Sequence, residues 1–439
     1  MSAVKARRVG IVGGGPAGLG LAYTLGEAGH DVTLFEAEGE LGGLARSFRL
    51  GDVDVERYYH FLCADDAGYL AYARRLGIAS RIRFESAKVG FFHDGVLYPF
   101  NSAADLMRCE ALSRVGRLRY GAFSAWCAAT TGWHHLDAIA AKPWLIHALG
   151  LETYRVMWQP LLEVKFHEVH DQISAAWVWH RVHRVARSRG RGMARSSFGF
   201  LEGGTLVLVD ALVARATARG VKLHAGARVA RILHDGRRCR GIETEGGKVH
   251  EFDAVVAAVP LPLFLRMAEN LPPHYQERLE KIRFIGVVCV VLRLRESVTE
   301  NYWLNINDPR IPYNGFIEYT NLNPRMTGDG SSIVYVPFYM PTTHRRFSYS
   351  DDQHVRDAVA SLAVVNRRAS ADWVIDAAVS RDPYAQVICD TGFRLRAPEH
   401  QTPIDGLYII ESSQLYPSDR TISGTLDLAA NVATLIDRG

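Results

Sequence analysis

The stretch from Arg8 to Ser47 constrains this chain more than any other. An apolar run (Val9, Ile11, Val12) enters a glycine cluster, and Leu21, Ala22, Leu25 and Ala28 then recur at helical spacing until Gly29 ends the pattern. A second apolar run, Val32 to Phe35, stops at the acid Glu36. Strand, tight turn, helix and strand make a βαβ unit, with Gly13-x-Gly15-x-x-Gly18 at the strand-to-helix turn. Gly13 permits the sharp turn, Gly15 lets backbone N–H groups approach a pyrophosphate, and Gly18 lets helix and strand pack closely. Pro16 and Ala17 open the helix, whose N-terminus faces the anion. Glu36 stands about 20 residues beyond the glycines, where a carboxylate accepts from both ribose hydroxyls and repels a 2′-phosphate, which argues against NADP.

A glycine-rich loop alone is often only a turn, but this one follows a strand, opens a helix and leads to an acid-terminated strand, so it is read as a dinucleotide site. The continuation Leu41-Gly42-Gly43-Leu44-Ala45-Arg46-Ser47 resembles the flavoprotein group that contains amine oxidases, protoporphyrinogen oxidases, phytoene desaturases and UDP-galactopyranose mutases. The resemblance implies FAD as cofactor. Gly42, Gly43 and Leu44 are then expected to bring backbone beside the flavin and its phosphates, with Arg46 reaching toward the cofactor.

At 439 residues the chain exceeds one comfortable core, so two domains are expected. A formal charge of +4 is too small to imply nucleic acid, and any anion preference should be local. Six cysteines are scattered without a CxxC pair or matching histidine spacing, which disfavours a metal site and a disulfide framework. The first strand begins after a few polar residues, with no apparent secretory signal, and no apolar run approaches the roughly 18 residues that span a bilayer. A cytoplasmic location is expected, with peripheral contact between an amphipathic helix and a membrane left open.

Further along, Tyr58 and His60 lie in Glu56-Arg57-Tyr58-Tyr59-His60-Phe61. A histidine among aromatics is commonly a packed core residue; in the resembling flavoproteins a His-containing segment here passes the isoalloxazine, which implies His60 as a flavin neighbour and Tyr58 as a pocket residue. From the expected N-cap Ser102 to about Val185 the periodicity is helical, with breaks at Gly132, Pro143, Gly150 and Pro160. Trp158 to Phe166 resembles a Pro-Leu-Leu-x-x-Lys-Phe stretch of bacterial protoporphyrinogen-oxidase-like proteins. Lys165 is either a lysine snorkelling from a helix end or a ligand for an anion or a flavin-bound water. Between Arg181 and Arg195 seven arginines or histidines precede any acid. Such a run is usually a solvated loop; the sharper reading is an electropositive lip for a phosphorylated or lipid-linked substrate.

The segment Phe200 to Thr205 resembles the return of these flavoproteins to their cofactor domain, and the resemblance implies that Val229 contacts the adenine through its backbone. Strands are expected at Gly286 to Leu294, Phe316 to Tyr319 and Ile333 to Tyr339, with a helix from Ser350 to Asn366. The amide- and aromatic-rich runs 301–308 and 318–321 can orient a polyhydroxylated ligand or simply cap turns. A last helix starts near Ser423-Gly424-Thr425-Leu426, and the resemblance points its N-terminus at the flavin pyrimidine. Glu411-Ser412 departs from the Gly-Asp or Gly-Glu of many oxidases, which puts pyrophosphate contacts from that turn in question.

The expected fold is α/β plus α: a Rossmann-like FAD-binding domain from residues 1–60, 196–260 and 387–439, interleaved with a substrate domain of mixed sheet from 61–195 and 261–386, carrying a helical insert at about 102–190. The leading functional expectation is an FAD-dependent oxidoreductase taking hydride from a small-molecule substrate onto flavin N5. The alternatives are a redox-neutral flavin-dependent mutase acting on a nucleotide sugar, and a non-catalytic binding protein stabilised by FAD.

Overall fold

The computed structural model of the protein describes residues 6–188 and 197–438. β1 (Arg8–Val12), α1 (Pro16–Glu27) and β2 (Asp31–Phe35) form the expected βαβ unit, and the two strands pair in parallel from Arg8–Asp31 to Val12–Phe35. Three distant strands complete a five-stranded parallel sheet in the order Leu407–Ile409, Ala254–Ala257, β1, β2, Lys222–His224. Parallel strands are covered on both faces, which is why Val9 to Val12, Val32 to Phe35 and Ala254 to Ala257 are continuously buried rather than alternating. Against this sheet, α1 packs on the helices Leu206–Ala218 and Ile422–Arg438.

The turn between β1 and α1 is dictated by sterics. Gly13 has φ +110°, and a Cβ there would stand 2.4 Å from the Ala258 carbonyl oxygen. A Cβ on Gly18 would stand 1.9 Å from the Gly13 carbonyl oxygen. No side chain fits at that distance, so helix and strand meet only through glycine.

A second, seven-stranded sheet runs in the order Val374–Val387, Phe284–Leu294, Ser332–Met340, Gly315–Glu318, Trp303–Ile306, Val89–His93, Val96–Pro99. Its last two strands precede the helical insert in the chain and the other five follow it. Val89–His93 and Val96–Pro99 form a hairpin, with Asp94 (φ 48°) and Gly95 (φ 76°) at the turn. The strand Ser197–Leu201 pairs antiparallel with Ile82–Ser86 and joins neither large sheet.

The insert comprises the helices Ala103–Arg108, Arg114–Ala129, Ala141–Leu149, Leu151–Met157, Gln159–Phe166 and Ala175–Ser188. Ser102 caps the first as expected, its hydroxyl accepting from Asp105 N–H at 3.1 Å while Asp105 accepts from the Ser102 N–H. Pro143 and Pro160 lie in the first turns of Ala141–Leu149 and Gln159–Phe166. They open helices rather than break one, because the missing N–H falls where no intrahelical acceptor exists. Arg181, His183 and Arg184, taken as the start of a solvated run, are in the helix Ala175–Ser188; the remainder of that run, 189–195, lies outside the described residues.

Gly18→Ala is expected to destabilise the protein by about 3 kcal/mol or more, the range of severe overpacking. Chemical denaturation of the flavin-free protein checks this; a loss under about 1 kcal/mol would contradict the close approach.

Candidate active site

One cavity of about 1560 Å³ runs from the β1–α1 turn to the helical insert. Ligand pockets usually measure about 300–1,000 Å³, so this one is large enough for a bulky cofactor with a second molecule beside it. At its first end stand Gly13, Gly15, Pro16, Ala17, Glu36, Leu44, Arg46 and Val229. No atom lies within 4 Å of where a Gly15 Cβ would be, and Gly15 is extended (φ −74°, ψ 178°), so glycine there serves neither turn nor packing. What it leaves is an open cradle at the N-terminus of α1, where free backbone N–H groups and the helix dipole suit an anion. Gly43 (φ +54°) faces it, a Cβ on Gly43 standing 3.1 Å from Gly15 Cα.

Glu36 Oε2 accepts from Gly14 N–H at 2.7 Å and Oε1 from Glu38 N–H at 2.9 Å. Two backbone bonds fix the carboxylate at the cavity wall, and its remaining lone pairs can receive hydroxyls. Arg46 Nε donates to the Gly43 carbonyl at 3.2 Å. Four residues expected at the cofactor do not line the cavity. Gly18 and Gly42 build the turns around it, Gly42 (φ +115°) donating to the Gly14 carbonyl at 2.8 Å. Gly424 packs against Leu415, and Leu426 is fully buried beneath Gly20. Their neighbours Ile422, Ser423 and Thr425 at the start of the C-terminal helix do reach the cavity. Glu411 lines it as well, but its carboxylate turns back on its own loop, accepting from Ser413 N–H at 2.7 Å and from the Ser412 hydroxyl at 2.9 Å.

Tyr58, Tyr59 and His60 also line the cavity. Glu56, buried and missed in the sequence, organises this stretch: one oxygen accepts from His60 Nδ1–H at 2.7 Å, the other from Thr205 N–H at 2.8 Å. A carboxylate only accepts, so Nδ1 carries the proton of this bond, and in the neutral form of the ring Nε2 is the acceptor. Burial pushes the Tyr58 phenol well above its ordinary value.

On the cavity wall Lys165, 5 % exposed, lies over aromatic faces, its Nζ 4.6 Å from the Tyr339 ring centroid and 5.3 Å from that of Trp177. Asp419 accepts from Trp177 Nε1 and Gln386 Nε2 at 2.8 Å each and from Arg181 Nη1 at 2.9 Å. Burial would raise its carboxyl, and Lys165 and Arg181 more than reverse this, bringing it to about 2. Burial lowers the Lys165 ammonium to about 8 against the pull of Asp419, and lowers His180, on the same wall, to about 4. Asp419, Arg181 and Trp177 carried no sequence signal as a set, since the partners are separated by more than 230 positions.

Residues 16–413 match the family described as flavin containing amine oxidoreductase. The chain belongs to this family. Among curated relatives it is 27 % identical over 235 residues to the zeta-carotene-forming phytoene desaturase of Myxococcus xanthus, an alignment spanning 52 % of this chain and 41 % of the relative. The chain thus matches less than half the length of that relative. The fold is shared with a putative protoporphyrinogen oxidase from Exiguobacterium sp. 255-15 (TM-score 0.78, 16 % identity, 99 % of each chain). It is shared equally with a reduced UDP-galactopyranose mutase (TM-score 0.74, 16 % identity, 98 % of this chain and 96 % of that one). As in the rest of the flavin-containing amine oxidoreductases, the cofactor is FAD, and the open cradle at Gly15 with Glu36 beside it fits the adenylate end of that molecule.

Two outcomes follow for this flavoprotein. Gly15→Val is expected to alter the stability of the flavin-free protein by no more than about 1 kcal/mol, the scale of an N-cap change, while abolishing flavin retention; thermal unfolding and flavin absorbance of the purified variant check the two halves. For Lys165, the unfolded chain holds its proton up to about 10.5 and the folded chain releases it at about 8. Between those values the unfolded state binds more protons, so wild-type stability rises with pH relative to Lys165→Met, by roughly 3 kcal/mol in all. Denaturant titrations of both proteins at pH 7.5 and pH 10, about the two ends of that window, measure the difference.

Proposed function

We propose that the chain is an FAD-dependent oxidoreductase that takes a hydride from a C–H bond, next to nitrogen or carbon, of a small-molecule substrate held beneath the helical insert. The observation carrying this reading is that one cavity is lined by the Gly15–Glu36 cradle, by His60 and by Lys165 and Tyr339. When bound, FAD supplies the two-electron acceptor, with N5 receiving the hydride. In this reading Gly13, Gly15, Glu36 and Val229 hold the adenylate half, and Gly43, Leu44, Arg46, Ser423 and Thr425 border the flavin half. Residues 1–60, 196–260 and 387–439 make up the cofactor domain.

The chain's residues orient substrate and control its protons. Tyr58, Tyr59 and Tyr339 exclude water and form an apolar wall. His60 Nε2, fixed by Glu56, offers one acceptor at a stated position. Lys165 and its neighbours Arg181 and Arg420 outnumber Asp419 where they line the cavity, which favours a substrate bearing an anionic group such as a phosphate. Six buried cysteine thiols without disulfides accord with a reducing, cytoplasmic setting. Among the described residues no helix is long and apolar enough to cross a membrane.

The test is an anaerobic absorbance titration of the purified holoprotein against amines, porphyrinogens, polyprenyl phosphates and nucleotide sugars. Bleaching of the flavin by one class is the expected result and names the donor. A flavin inert to all of them, with turnover of a nucleotide sugar only after chemical reduction, would replace this reading with redox-neutral catalysis. His60→Ala is expected to retain flavin and to slow reduction by the identified donor about 10- to 1,000-fold, the range of a positioned acid–base group; unchanged reduction would make His60 a packing residue.

A further inference from the structure

Of the 51 lysines and arginines in the chain only seven are lysine, so arginine supplies nearly all of the positive charge. Lys88, Lys142, Lys222, Lys248 and Lys281 are exposed or half-buried, and Lys165 is the one buried lysine among the described residues. Where only a cation is needed, arginine serves and keeps its proton. Lysine differs in that burial can turn its ammonium into a neutral amine, and a neutral amine is a nucleophile.

Lys165 stands in the last turn of the helix Gln159–Phe166 and lines the cavity, so it meets whatever the cavity admits. Among the described residues Nζ has no hydrogen-bond acceptor and no carboxylate within ion-pair distance, and it is not one of the buried polar atoms sealed from solvent. Its close neighbours are the rings of Tyr339, Trp177 and Phe166, the last with its centroid 5.9 Å away. The charged and titratable groups around it are Asp419 and Arg420 ahead of the C-terminal helix, Arg181 on the helix Ala175–Ser188, Tyr339 on the strand Ser332–Met340, and Cys389. Asp419 is already engaged by three donors, from Trp177, Gln386 and Arg181. Burial, Arg181 and Arg420 favour the amine, while Asp419 and the aromatic faces favour the ammonium. The change from one form to the other falls at about 8. An amine in an enclosed apolar setting, with two guanidiniums beside it, suits a ligand that offers a carbonyl carbon to the amine and an anionic group to the guanidiniums.

We propose that Lys165 is a reversible covalent site for aldehydes or ketones that carry an anionic group, which it binds as an imine. Nζ adds to the carbonyl carbon to give a carbinolamine. The oxygen then leaves as water with the two protons that Nζ gives up, and a C=N bond replaces the C=O bond. Water reverses both steps, and nothing is oxidised or reduced. Arg181 and Arg420 keep their charge when Lys165 loses its proton, so attraction for the anionic group persists in the reactive form. The capture needs no flavin chemistry and stands apart from the oxidoreductase reading. An adduct occupies the same cavity and closes it to other ligands until hydrolysis releases it.

Treatment of the holoprotein with glyoxylate and cyanoborohydride, followed by peptide mass spectrometry, tests the site without any assay of turnover. The reductant fixes each imine as a carboxymethyl-lysine, and the exposed Lys248 and Lys281 report ordinary lysine reactivity in the same sample. At about pH 7.5, roughly a quarter of a group that titrates at about 8 is free amine, against roughly one part in a thousand of a fully solvated lysine. Lys165 is therefore expected to be modified at least about tenfold faster than Lys248 or Lys281, and its rate to level off above about pH 8 while theirs keep rising. Propionaldehyde, which lacks the anionic group, is expected to favour Lys165 over Lys248 and Lys281 less than glyoxylate does. Modification confined to the exposed lysines, or equal rates at all three positions, overturns the proposal. A preference for Lys165 as strong with propionaldehyde as with glyoxylate overturns the anionic ligand class. All of these readings are taken on the wild-type protein, so none depends on the folding of a variant.

Discussion

The distance between α1 and the end of β1 sets the terms for the rest of the molecule. Gly18 approaches the Gly13 carbonyl so closely that a Cβ would sit 1.9 Å from its oxygen. That contact turns the N-terminus of α1, with its unbonded N–H groups, toward the cavity instead of into neighbouring backbone. Gly15 is then left facing open space, and Glu36, tied to Gly14 N–H across the same turn, stands at a fixed place beside it. The three glycines are therefore unequal: two are required by the fold, and one by what the fold holds.

Another part of the cavity wall depends on a different device, a buried carboxylate joining three segments. Glu56 binds His60 four residues on and Thr205 N–H across 149 positions, while the Thr205 hydroxyl donates to the Ala45 carbonyl at 2.8 Å. An isolated buried carboxylate is costly, and two well-placed donors offset that cost. The same economy governs Asp419, where an indole N–H, an amide and a guanidinium converge on one carboxylate and leave Lys165 among aromatic rings. Both carboxylates hold cavity walls in place from opposite ends of the sequence.

The parts that could be read from the sequence are those whose geometry is local. The βαβ unit and the Ser102 cap each depend on residues within one or two turns of chain, and each is found where expected. Pro143 and Pro160 do mark helix boundaries, each in the first turn of the helix that follows, although a proline alone does not say on which side the helix lies. Leu426 misled because the stretch at the start of the last helix alternates between cavity and core, and only the packing against Gly20 tells which residue faces which way. Glu56, Arg181 and Asp419 were illegible because Thr205 lies 149 positions from Glu56 and Arg181 lies 238 positions from Asp419, and a lone charged residue in a sequence says nothing of what it will meet.

The central claim is that the Gly15–Glu36 end of the cavity holds the adenylate half of FAD. Calorimetric titration of the flavin-stripped protein with FAD, FMN and NADP⁺ tests it most directly. One FAD per chain is expected, with FMN, which lacks the adenylate, binding at least about 100-fold more weakly, a difference of roughly 3 kcal/mol, and with NADP⁺ excluded by Glu36. Equal affinity for FAD and FMN, or binding of NADP⁺, would contradict it.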